Sequence, residues 1–227
     1  MDTAVQIYLQ NQREIAHSEG FQSFHTLNFG EYQVKGREAF GNILAWNDEM
    51  LAPQYSQKIT ADQPTRIILL PLAGALEIDQ GNEVKYVDSG ECLSIVVTRG
   101  QSFVVTNPYP DQVVNYLQIR LLNTPKSRLD TVFSTFDLNE KDQLITVFKE
   151  AENCTQLVIG KYRGRGEGVY FCDKLPGNVL VFIIEGAFEA QNRLLERRDA
   201  LSLKNVSEVE FEALSHDAII LIMQTAD

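Results

Sequence analysis

The side chains able to do chemistry are few and widely scattered. Histidine occurs at His17, His25 and His216, and cysteine at Cys92, Cys154 and Cys172. No two of them stand at the spacing that zinc sites or paired redox cysteines require. The histidines are therefore read as hydrogen-bonded or solvent-facing imidazoles, and the thiols as small buried hydrophobes, with Cys172 on a strand of the second half. KYRGRGEG at Lys161–Gly168 collects glycines and three cations, as a phosphate cradle would. It lacks the strand–loop–helix context and the terminal Lys-Ser/Thr pair of a P-loop, so it reads as a turn between two strands. Gly-x-Ser-x-Gly and His-Glu-x-x-His are both missing, which leaves hydrolase chemistry without a motif.

Charge narrows the function further. The 227 residues carry a formal net charge of −11, which disfavours phosphate backbones and anionic lipid as partners. No uninterrupted apolar run approaches membrane-spanning length. The opening MDTAVQIYLQNQREIAHSEG has no basic segment followed by an apolar core, so the expected location is the cytoplasm, without nucleic-acid or membrane partners.

The elements that must position any site are short strands. From Pro53 they come as Arg66–Leu72, Ala75–Asp79, Val84–Val87, Cys92–Val96, Ser102–Asn107 and Val113–Leu122, with Gly, Asn and Asp between them. Upstream, Phe21–Tyr32 and Phe40–Met50 alternate in the same way, with Asn47-Asp48 read as a turn. Downstream, VEFEA sets Val209, Phe211 and Ala213 against Glu208, Glu210 and Glu212, one face in a core and the other in water. Pro125–Glu150 is ambiguous: Leu129, Val132 and Phe133 would share a helical face, while Leu144–Phe148 serves equally as a strand or a helix end.

An internal repeat organises these pieces. LLPLAGALEI at Leu69–Ile78 returns as VFIIEGAFEA at Val181–Ala190, matching Gly74 to Gly186. GECLSI at Gly90–Ile95 then follows the first copy as RDALSL at Arg198–Leu203 follows the second. Two similar units are expected, residues 1–125 and 126–227, with a short helical or irregular linker near 126–140.

In this order SFHTLNFGEY at Ser23–Tyr32, ILAWNDEMLAP at Ile43–Pro53, LAGALE at Leu72–Glu77 and YLQIRLLNTP at Tyr116–Pro125 resemble pirin and the bacterial pirin-like quercetinases. The resemblance implies an all-β bicupin, two tandem jelly-roll (RmlC-like) barrels packed together. Trp46, Phe24, Phe29 and Phe40 are expected to pack in a core or on a face between barrels, and Asp173 and Glu185 to sit on a rim. The resemblance also implies one iron, nickel, manganese or copper ion in the first barrel, held by a His-x-His and a His-x-Glu pair.

Those pairs fall here on Thr60 and Asp62, and on Val104 and Thr106. Val has no lone pair and neutral Thr is a weak ligand, so no metal cofactor is expected. The four positions become the expected lining of an organic-ligand pocket. Asp62 is the candidate acid–base residue, because an apolar wall would favour its neutral form. The sequence thus reads as a metal-free pirin-like protein without dioxygenase activity, a small-molecule-binding or regulatory module with scope for a protein partner. The competing reading is a quercetin 2,3-dioxygenase-like oxidoreductase with a non-standard metal site, and a third is metal-independent acid–base chemistry at Asp62.

Overall fold

The computed structural model describes residues 4–81, 83–124, 130–173 and 176–225. These form strands joined by turns and two single-turn 3-10 segments. Contacts divide the chain into two compact units: Glu14–Ala39 with Ile43–Thr135, and Met1–Arg13 with Phe40–Asn42 and Phe136–Asp227.

The first unit has a seven-stranded and a four-stranded sheet. The larger runs in the order Val132–Thr135, Glu91–Val97, Thr65–Ala73, Val114–Leu122, Ile43–Leu51, Phe21–His25, Glu14–Ser18. The smaller runs Ser56–Thr60, Ser102–Thr106, Leu76–Asp79, Val84–Val87. Every ladder is antiparallel, so alternate residues of each strand face one core. That core contains Ile59, Ile67, Leu69, Ile78, Leu93 and Val105, with Tyr116 among them.

The second unit repeats the plan with six and four strands. Its core includes Val181, Ile183, Leu201, Ile220 and Ile222, closed by Tyr162, Phe188 and Phe211 packed edge to face. Val209, Phe211 and Ala213 are buried and alternate with Glu208, Glu210 and Glu212, as their pattern predicts.

The repeated motif is a crossing between sheets rather than a hairpin. Thr65–Ala73 lies in the larger sheet and Leu76–Asp79 in the smaller, with Gly74 turning the chain at φ +79°. Gly186 makes the same crossing between Gly177–Glu185 and Phe188–Ala190 at φ +76°. Both need a left-handed backbone, which glycine adopts without a Cβ penalty. The second halves of the repeat also correspond. Glu91–Val97 pairs with Thr65–Ala73, as Ala200–Val206 pairs with Gly177–Glu185.

Several boundaries differ from the sequence reading. Asn47 and Asp48 do not turn the chain; they lie inside the continuous strand Ile43–Leu51. Val132 and Phe133 are not helical but pair with Ser94 and Leu93, while Leu129 and the expected break at 125/126 involve residues outside those described. Against the division 1–125 and 126–227, Val5–Tyr8 pairs with Ala200–Val206 of the second unit, and Val132–Thr135 closes the larger sheet of the first.

A buried polar grid at the mouth of the first barrel

The residues expected to form the pocket do not converge on one. Thr60 pairs across the ladder with Ser102, Val104 with Lys58, and Thr106 with Ser56, whose hydroxyl lies 2.8 Å from that of Thr106. Thr60 is exposed and Val104 and Thr106 half-buried, so this is the outer face of the small sheet. Asp62 follows in an exposed turn. The core-facing residues are their neighbours Ile59, Ala61, Phe103 and Val105. With a side-chain period of two, a shift of one residue exchanges the two sets. The inner set is wholly apolar and the outer has one carboxylate, so in neither register do these strands offer ligands for a transition metal. Among the described residues no group of three or more His, Cys, Asp and Glu side chains is placed to hold a metal ion. The metal that the resemblance implies does not fit this donor set.

A different cluster occupies the barrel mouth. Across the adjacent strands of the larger sheet, one row reads Ala16, Ser23, Glu49, Tyr116, and the next reads Glu14, His25, Asn47, Gln118. Arg120 follows Gln118 by two residues and so emerges on the same face. A cavity of about 360 Å³ opens over this grid. Glu49, Ser23, His25, Gln118 and Arg120 form its polar wall, and Phe21, Phe29, Tyr32 and Ile59 its apolar one. None of Thr60, Asp62, Val104 and Thr106 lines it.

Glu49 is the centre of the arrangement. It is 2 % exposed, and its Oε1 accepts only long hydrogen bonds, 3.3 Å from Ser23 Oγ and 3.4 Å from Asn47 Nδ2. Oε2 and the Tyr116 hydroxyl are both buried and neither makes a hydrogen bond of ordinary geometry. Burial raises the Glu49 pKa above the usual carboxylate range, although Tyr116, Gln118, Arg120 and Asn47 pull the other way. Tyr116 is pushed well above the ordinary phenol value, by burial first and by the neighbouring Glu49 second.

Arg120 is held at the lip by three contacts. Its Nε donates to Gln118 Oε1 at 2.8 Å, its Nη1 donates to the Thr60 carbonyl at 3.1 Å, and its guanidinium stands 4.7 Å from the Phe29 ring centroid. Desolvation lowers its pKa, and Glu49 and then Asp62 oppose that shift. His25 packs edge-on against Phe29, with ring centroids 5.3 Å apart.

This grid was missed because its residues come from four strands, the last of them distant in the chain from the other three. Its signal was polar residues two apart inside apolar runs: Ser23 and His25, Asn47 and Glu49, Gln118 and Arg120. The remaining candidates are accounted for locally. In KYRGRGEG, Arg163 pairs with Asp142 at 3.2 Å and Arg165 with Glu212 at 2.8 Å, so both arginines are engaged at a turn. Asp173 pairs with Lys149, and Glu185 with Arg197 at 2.7 Å. His17 is exposed, and the His216 ring lies beside Gly164.

The two units, each a pair of antiparallel sheets entered by the same glycine crossing, define the bicupin class. Bacterial pirin YhhW from Escherichia coli, solved with nickel(II), matches at a TM-score of 0.84 and 16% identity, over 99% of this chain and 100% of that one. YhaK from Escherichia coli matches at 0.74 and 17% identity, over 92% and 95% of the two chains. A quercetin 2,3-dioxygenase from Acinetobacter baumannii matches at 0.75 and 11% identity, over 97% and 85%. The chain therefore has a pirin-like bicupin fold. No protein-family model and no curated protein matches the sequence.

Proposed function

We propose that the first barrel binds a small organic molecule over the Glu49 grid, and that the chain serves as a ligand-binding or regulatory module rather than a metal-dependent dioxygenase. The supporting observation is the coincidence of two features in one barrel. The strands that would supply a metal site present apolar side chains to the core, while the opposite sheet presents a buried polar grid to a cavity. Cavities of this size, mostly apolar with a few convergent polar groups, suit small ligands. The similarity to a quercetin 2,3-dioxygenase motivates a flavonol as one test compound.

Asp62 has no place in this reading, because its turn lies outside the cavity lining. A protein partner would be the regulatory output of ligand binding. A cytoplasmic location is in keeping with three cysteines outside any disulfide.

The test is a small-molecule screen by heteronuclear NMR on the full chain, alongside a flavonol-consumption assay with added iron, nickel, manganese and copper. Ligands whose shifts centre on Ser23, His25, Glu49, Gln118 and Arg120, with flavonol left intact, are expected. Flavonol cleavage with near-stoichiometric bound metal would overturn the proposal.

A further inference from the structure

Resting on that ligand-binding reading, we infer that the small molecule is peptide-like: an acylated amino-acid amide that pairs its own N–H and C=O with the main chain of Lys58 and lays an aromatic acyl group into the cavity. The cavity opens at the seam of the first barrel. Glu14–Ser18 ends the larger sheet and Ser56–Thr60 ends the smaller, and among the described residues no ladder joins the two strands. Glu14 and Ala16 of the one, and Gln57, Lys58 and Ile59 of the other, border the cavity. An outermost strand carries a row of N–H and C=O groups that its own sheet leaves unpaired.

The ladder fixes which residues carry that row. Ser56–Thr60 pairs with Ser102–Thr106, placing Ile59 opposite Phe103 and Lys58 opposite Val104. In the same register Asn107 N donates to the Tyr55 carbonyl at 2.9 Å, and Ala61 N to the Gln101 carbonyl at 3.3 Å. Bonded and unbonded residues alternate along an antiparallel pair. Tyr55, Gln57, Ile59 and Ala61 thus turn their main-chain groups to the partner strand, while Ser56, Lys58 and Thr60 turn theirs to the open side. Arg120, itself at the cavity lip, agrees with this parity, because its Nη1 donates to the Thr60 carbonyl.

Of the three outward residues, Lys58 borders the cavity. Its N–H has no partner among the described residues, and its carbonyl accepts a long bond of 3.4 Å from Gln57 Nε2. Its side chain stands on the outer face with those of Ser56 and Thr60, so its main chain is what it offers a ligand. A donor and an acceptor on one extended residue are matched by the N–H and C=O of one residue of another strand, the two-bond exchange of an antiparallel pair. A ligand residue opposite Lys58 would point its own side chain outward and its acyl neighbour inward. Phe21, Phe29 and Tyr32 wait on the inward side, which assigns the aromatic group to the acyl position.

The experiment is a heteronuclear NMR titration of the full chain with phenylacetylglycine methylamide, and with its ester analogue in which oxygen replaces the glycine N–H. The amide is expected to bind about tenfold or more tightly than the ester, which leaves the Lys58 carbonyl without its donor. It should also slow hydrogen exchange at the Lys58 N–H, which is fast in the free chain. Lys58→Ala should hold the amide within about twofold of the parent, whereas Lys58→Pro removes the donor without breaking a ladder bond and should weaken it about tenfold or more. Exchange at Lys58 in the free chain as slow as at Ile59 would show the N–H already paired and overturn the proposal, whether or not Lys58→Pro folds. Equal binding of amide and ester would overturn the peptide-like assignment and leave the ligand-binding reading standing. So would binding of neither, in a chain that the NMR screen shows to bind other molecules at Ser23, His25 and Glu49. Binding only when the same unit is set within a hexapeptide would make the edge a docking strip for a protein segment, and would overturn the proposal too.

Discussion

Tyr116 stands directly across the ladder from Glu49, and Ser23 stands across from Glu49 on its other side. Three polar side chains thus share one row on the inner face of a sheet that also turns the apolar Leu51, Ile67 and Val114 inward. Such a row costs stability through desolvation, so its presence marks the place where the first barrel departs from simple packing.

That cost is measurable at Glu49. The native state holds the Glu49 proton more tightly than the unfolded chain does, where the carboxyl titrates near about 4.3. The associated stability is fully present below that pH and is lost as pH rises through the higher folded value. Glu49→Gln should therefore match the parent at low pH and exceed it by about 1 to 3 kcal/mol at the alkaline end, the scale of a buried polar group left unsatisfied. Urea unfolding of both proteins across pH checks this.

Tyr116→Phe removes one of the groups that favours ionised Glu49. The loss of stability with rising pH should therefore start at the same pH as in the parent but continue to a higher one and reach a larger total. At low pH, where Glu49 is neutral in both states, the change should stay within about 1 kcal/mol, because the lost hydroxyl makes no ordinary hydrogen bond. The same urea series reads both effects.

Much of the fold was legible because a strand's two-residue period is written locally. The glycine crossings at Gly74 and Gly186 announced the repeat, and VEFEA announced its own inner face. The site was less legible. Placing Thr60 and Asp62 inside the barrel required a register that sequence spacing could not fix, and one residue separates them from the inward Ile59 and Ala61. Asn47-Asp48 looked like a turn because both residues favour turns. In the fold Asn47 joins the grid beside His25 and Gln118, while Asp48 accepts from Asn115 Nδ2 at 2.7 Å.

The second barrel tests packing alone. A Cβ on Gly168 would lie 2.4 Å from the Phe211 ring and 2.9 Å from the Tyr162 hydroxyl. Gly168→Ala should destabilise the protein by about 1 to 3 kcal/mol, the usual cost of overpacking. Thermal unfolding measures it, and an unchanged midpoint would show that the aromatic trio gives way freely.

Thiol reactivity separates the three cysteines. Burial pushes the Cys92 thiol up to about 12 and Cys172 up to about 11, while Cys154 is partly exposed. A thiol-exchange reagent at pH 8 should label Cys154 first and Cys92 only as fast as the first unit opens. Peptide mapping after timed quenching gives the order.

The central claim is that the first barrel offers no transition-metal site between the strands Ser56–Thr60 and Ser102–Thr106. It is tested most directly by anomalous diffraction at the nickel edge from crystals equilibrated with nickel(II). The account predicts no anomalous peak within ligand distance of Thr60, Asp62, Val104 and Thr106, or of Ile59, Ala61, Phe103 and Val105. A fully occupied nickel peak at either set would contradict it.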